Sequence, residues 1–275
     1  MWHPTLSSGA VRLASLSLAV GVLGGCDSGG ATVGPGPDLT PVGRACEAPP
    51  FGGTVFITST LITAADPSTF TGATYSGRGS RQMFDRRVNG WITTDAYLVG
   101  VTFSDGLSAE VQVNPEFGSA EAAVAAARRF GPAIGRLPKA LRDDVETVWV
   151  HEGTQPFGGG NANLLIHTGQ ADLYEADGVL EEALVHEAAH TSLDAAHASA
   201  PHWTAAQRAD SCFVSTYARD NPTREDIAES VLPYLALRYR PASLSAEARA
   251  AILEAMPNRT AYFDWLDLDL SPCAE

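Results

Sequence analysis

Near residue 115 the sequence changes its hydrophobic period, and that change limits the available architectures more than any other property. Before it, apolar residues come in short β-branched and aromatic runs: Thr54-Val55-Phe56-Ile57, Leu61-Ile62-Thr63, Trp91 to Thr94, Ala96 to Phe103 and Ala109 to Val113. Such runs read as strands, with Ser104-Asp105-Gly106 a turn between two of them. After it, helical spacing dominates. Helices are expected from Ser119 (as N-cap) to Phe130, from Val179 to Asp194 with Asp177 as cap, and over Thr204 to Asp210, Pro222 to Tyr239 and Ser245 to Met256. Two strands interrupt them, Thr147 to His151 and Asn163 to His167, with Phe157-Gly158-Gly159-Gly160-Asn161 as a loop. The order defines an α+β plan: a β-rich, mostly antiparallel part over 46–115, then a helical part over 116–275. With 275 residues, 45% of them hydrophobic, the chain has enough apolar material for a real core and is not a disordered one.

One helix carries chemistry. His186-Glu187-Ala188-Ala189-His190 places two histidines four residues apart, about 40° around the axis and about 6 Å along it. Both imidazoles then reach one ion, while Glu187 projects beside them towards a bound water. A zinc ion so held acidifies its water, and the carboxylate takes the proton as hydroxide attacks a carbonyl. The motif arises by chance on the order of 0.01 times in a chain of this length and composition. Two exposed histidines on a surface helix are the bland alternative.

A third protein ligand is required. His197 is one candidate, seven residues after His190 and without an intervening glycine; a polar residue just past the helix end is its simpler reading. The other is Glu225. Asn221 can cap a helix whose first turn holds Pro222, so Glu225 and Glu229 fall four apart on one face. Paired carboxylates repel unless a cation or histidine lies between them, although acidic residues also favour a helix start for its dipole alone. Asp194, four after His190, either holds a ligand histidine by a hydrogen bond or ends the helix. The strand Asn163 to His167 is placed to be the edge that pairs with an extended substrate. His167 on it reads as structural, and the three glycines as the rim of a cleft.

Taken together, His186-Glu187-Ala188-Ala189-His190, then Thr216-Tyr217-Ala218-Arg219-Asp220-Asn221, then Glu225-Asp226-Ile227-Ala228-Glu229 resemble the gluzincin metallopeptidases, particularly the anthrax lethal factor-like group. That group has Ser-Tyr-Gly-Arg-Thr-Asn and Glu-Phe-Phe-Ala-Glu at the corresponding places. The spacer from Asn221 to Glu225 is one residue longer here. The resemblance spans about 55 residues, Leu180 to Pro233. It implies a zincin-like catalytic domain with one Zn2+ held by His186, His190 and Glu225. It further implies Glu229 supporting a ligand, Glu187 as general base and Tyr217 as the hydroxyl that stabilises the oxyanion. The expected activity is hydrolysis of a peptide or protein substrate. The alternative is a non-catalytic envelope lipoprotein with a structural or vestigial zinc site, acting as a binding module.

The N-terminus bears on location. Arg12 precedes an apolar run, Leu13 to Leu23, too short to span a bilayer as a helix and suited to a signal peptide. It ends in Leu23-Gly24-Gly25-Cys26, which resembles the bacterial lipobox, so 1–26 is expected to be a lipoprotein signal peptide with Cys26 lipidated. Residues 27–45, rich in Gly, Pro, Ser and Thr, then read as a flexible tether. The expected location is the bacterial cell envelope, with the membrane as partner through the N-terminal lipid. A net charge of −14 and a single lysine, Lys139, argue against nucleic acid. Among Cys46, Cys212 and Cys273, the first and last are expected to pair, one disulfide leaving one thiol over.

Overall fold

The protein is described by a computed structural model over residues 35–43 and 48–273. The expected signal peptide, Cys26 and residues 27–34 and 44–47 lie outside the described residues. Residues 36–275 form one compact unit.

The sheet has six strands: β1 (Phe70–Asp85), β2 (Gly90–Phe103), β3 (Ser108–Val113), β4 (Thr147–His151), β5 (Gly158–Gly160) and β6 (Asn163–His167), in the order β1-β2-β3-β4-β6-β5. β1, β2 and β3 pair antiparallel, β4 pairs parallel with both β3 and β6, and β5 runs antiparallel to β6. The sheet is thus continuous across residue 115, because Val111 and Val113 register with Val148 and Val150. The mixed α/β arrangement agrees with the α+β expectation.

Among the described residues nine α-helices are present: α1 (Ala120–Gly135), α2 (Lys139–Arg142), α3 (Thr168–Asp177), α4 (Leu180–Leu193), α5 (Pro201–Ala209), α6 (Thr216–Asp220), α7 (Asp226–Arg238), α8 (Ala246–Ala255) and α9 (Pro257–Leu266). Ser119 caps α1 by accepting from Ala122 N–H, as expected, and Ser245 caps α8 in the same way. One face of the sheet and the helices share the main core, with Val99, Val101, Val111, Phe130, Ile134, Leu184 and Val185 buried together. The other face carries a smaller cluster of Met83, Leu98, Trp149 and Leu165. No helix among the described residues is long and apolar enough to cross a membrane.

Several expectations are corrected. Residues 54–57 and 61–63 form no strand. In and just after the first run the backbone donors go to buried carboxylates instead: Val55 N–H to Glu229 Oε2 at 2.9 Å, Ile57 and Thr58 N–H to Glu182 at 2.7 and 3.0 Å. In the second, Leu61 N–H turns back to Thr58 O and Thr63 N–H to Asp66. β1 is an unexpected strand because its glycines and polar residues hide the alternation; β2 pairs along nearly all of it. Asp177 does not cap α4 but ends the unforeseen α3, and Gly178 follows in the left-handed conformation. The α7 helix begins at Asp226 rather than Pro222; Asn221 closes α6, its N–H donating to Tyr217 O. The expected Cys46–Cys273 bond does not form: Cys273 is a free thiol and Cys212 is the disulfide-bonded residue, its partner outside the described ones. Burial pushes the Cys273 thiol up to about 11, and it donates to Arg136 O. Residues 36–43 lie against the fold, with Asn258 bonding both Thr40 N–H (2.7 Å) and Thr40 O (2.9 Å) and Val42 N–H donating to Ala209 O.

Candidate metal centre

α4 is buried on almost every side, not amphipathic: Leu180, Ala183, Leu184, Val185, Ala188, Ala189 and Leu193 are all in the core. A helix so enclosed can carry polar side chains only where each finds a partner. Glu181 pairs with Arg136 at 3.1 Å and Glu182 takes the two N–H groups named above. His186 and His190 meet edge to face, with ring centroids 4.8 Å apart.

α7 packs on α4 and brings Glu225 to them from the residue before its first turn. His190 Nε2 lies 3.2 Å from His186 Nε2 and 3.1 Å from Glu225 Oε2, and His186 Nε2 lies 3.6 Å from that same oxygen. Three such atoms this close need a proton or a metal ion between them. One solution is a proton on His190. Burial opposes that charge, but Asp194 and Glu225 outweigh it and raise the group to about 10. For Glu225 burial favours the neutral acid, but the two imidazoles and Arg224 hold the carboxyl far below the usual range. The other solution is a metal ion, for which His186, His190 and Glu225 form a buried three-ligand group.

The surroundings orient these atoms. His190 Nδ1 contacts Asp194 Oδ2 at 2.8 Å, which turns Nε2 towards His186 and Glu225. Asp194 also follows the last residue of α4, but the chain continues helically from it as a π-helical turn over Asp194–Ala198, so of the two readings the structure shows the hydrogen bond to His190. Glu225 divides its oxygens: Oε2 faces the histidines, while Oε1 accepts from Arg224 (2.7 and 2.8 Å) and from Tyr217 OH (3.1 Å). Glu229 Oε1 stands 3.4 Å from His186 Nδ1, and its Oε2 receives Val55 N–H. Burial raises the Glu229 carboxyl. Burial likewise raises the Tyr217 hydroxyl, and the Glu225 charge adds to it.

His186, Glu187, His190, Asp194, Tyr217 and Glu225 line one cleft of about 650 Å³. Across from them the cleft wall is built by Thr54 and Phe56, by Phe84, Arg86 and Asn89 around the β1–β2 turn, and by Pro156, Phe157 and Gly159. The expected edge strand β6 is internal, because β5 covers it; the three glycines are that strand rather than a loop. Gly159 is required there, since a Cβ on it would stand 1.8 Å from Glu187 O. His197 is not at the site: its Nδ1 meets Tyr262 OH at 2.7 Å. His167 is also elsewhere, stacked on His151 in the interior.

Sequence reasoning missed Arg224, whose neighbour hid its role, and the clamp beneath Glu225. Asp226 is buried against Arg259 Nη1 and accepts from Gln207 at 3.0 Å, and Arg259 Nε reaches Asp210 at 2.9 Å. This network fixes the start of α7 and so the place of Glu225. No known family model, curated protein or solved structure matches the chain.

Proposed function

We propose that this protein is a zinc-dependent peptidase of the gluzincin kind, with a zincin-like catalytic fold. It is exported and held at the bacterial envelope by a lipid on Cys26. The observation that carries the reading is the convergence of His186 Nε2, His190 Nε2 and Glu225 Oε2 on a cleft that Glu187 also lines. Tetrahedral zinc, about 2.0–2.1 Å from each ligand, needs ligand atoms roughly 3.3–3.4 Å apart. The separations of 3.1, 3.2 and 3.6 Å bracket that value. Two histidines and a glutamate leave a fourth position open, as a catalytic centre requires and a structural one does not.

Zinc, when bound, supplies the Lewis acid that lowers the pKa of a water and polarises a carbonyl. Glu187 takes the proton of the attacking water and delivers it to the departing amine. Tyr217 exchanges its bond to Glu225 Oε1 for one to the developing oxyanion. Asp194 holds the His190 imidazole by its hydrogen bond, and the Glu229 carboxyl stands behind His186 Nδ1 at 3.4 Å. An extended peptide lies along β5, whose outer edge borders the cleft, and adds to the sheet there.

Metal analysis and a peptide-hydrolysis assay on the purified mature chain test this. Wild type is expected to bind one zinc and to hydrolyse peptides, and Glu225→Ala to lose the metal. Glu187→Ala is expected to keep zinc while its rate falls by at least about 10²-fold. Wild type without zinc after zinc is supplied, or Glu187→Ala at full rate, overturns the reading.

A further inference from the structure

The turn between β1 and β2 sends its two arginines to different places. Arg87 folds back on Asp85, with four hydrogen bonds of 2.8–3.2 Å, and reaches Glu116 at 2.6 Å. This anchors the turn and holds the Asp85 carboxyl down at about 2. Arg86 instead joins the wall of the metal cleft. Its Nη2 lies over Gly158, where a Cβ would come within 3.0 Å, so the glycine of β5 makes room for the guanidinium. Its charge reaches Tyr174 and His167, opposing the burial that raises the first and adding to the burial that lowers the second.

Arg86 has no carboxylate partner among the described residues. Most arginines here do, including Arg78, Arg81, Arg87, Arg129, Arg136 and Arg238. The cleft's other arginine, Arg224, is committed to Glu225. With 32 acidic against 18 basic residues, an unpaired guanidinium facing the cleft runs against the field of the whole molecule, and its five N–H donors suit a planar, two-oxygen acceptor. We infer that Arg86 is a specificity residue that selects substrates presenting a carboxylate beside β5. The inference rests on the peptidase reading. Two sources offer that chemistry, an acidic side chain and a free peptide C-terminus.

The test uses the zinc-loaded mature chain and a panel of acetylated peptides with Glu, Gln or Lys at each position in turn. Each peptide is made with an amidated and with a free C-terminus. Wild type is expected to show about tenfold higher kcat/KM for the carboxylate-bearing member at one position. Arg86→Ala removes that preference, and Arg86→Glu inverts it towards Lys, with zinc content unchanged. Preference among the amidated peptides assigns a side chain, and preference for the free-ended set assigns the C-terminus. Hydrolysis without preference, or a preference that Arg86→Glu leaves intact, overturns the inference while the peptidase reading stands. If no peptide is cut, that reading fails, and fluorescence titration of the same peptides decides Arg86 alone. Equal binding of Glu and Gln peptides overturns it, and tighter binding of Glu that Arg86→Ala abolishes supports it.

Discussion

At the scale of single residues, the candidate metal centre depends on atoms whose partners matter as much as their own chemistry. His190 is useful only because Asp194 Oδ2, 2.8 Å from Nδ1, sets which nitrogen faces Glu225. Asp194→Asn keeps the shape and removes the charge. It is expected to weaken zinc affinity by about 10–100-fold, read by competition with a chelating dye; an unchanged affinity would remove Asp194 from the support of the site. The sequence spacing of His186, Glu187 and His190 was legible because four residues make one helical turn, a local fact. Arg259 was not, since Asp210 and Asp226 meet it through packing of distant segments, and Arg224, though next to Glu225 in the chain, follows no spacing pattern that reveals which way its guanidinium turns.

The helices and strands show the same division. α1 and the strands β3, β4 and β6 were readable from capping and from short β-branched and apolar runs, signals that reside in a few consecutive residues. β5 was not. Three glycines favour no strand by themselves, and they form one because β6 offers a ladder while α4 comes too close for any side chain. Gly159→Ala should therefore move β5 off α4. A loss of about 2–4 kcal/mol in urea unfolding is expected, together with a large fall in peptide hydrolysis. A variant with wild-type stability would mean that the backbone yields there at little cost. The run at 54–57 failed in the opposite sense: it has strand composition, but Glu229 and Glu182 take its N–H groups before any strand can.

For the whole molecule, the ends of β4 and β6 bury His151 and His167 against each other, 5.5 Å apart. Asn114 bonds His151 at 3.0 Å, and Asp85, Arg87 and Glu116 are the charged groups acting on it. Burial is the main cause that drives His151 down to about 4, and it lowers His167 as well. The unfolded chain thus binds protons near pH 6.5 that the fold refuses. The share of stability carried by this pair is expected to be complete above that pH and to fall between 6.5 and 4, by on the order of 3 kcal/mol from His151. Urea unfolding across this range checks it. His151→Gln should flatten the slope, and an equally steep profile in that variant would place the acid sensitivity elsewhere.

Residue spacing alone determined that one helix carries two histidines and a glutamate on a shared face, and that strands precede helices. Both are short-range patterns, dictated by turn geometry and by which residues stand next to one another. Which carboxylate joins the histidines, which cysteine stays free and which strand borders the cleft were decided by tertiary structure. Glu225 and His190 are 35 residues apart, Cys273 lies against Arg136, and β5 becomes the edge strand by pairing with β6 beside α4. Contacts of that kind depend on how whole elements bury their apolar faces, and no local pattern encodes them.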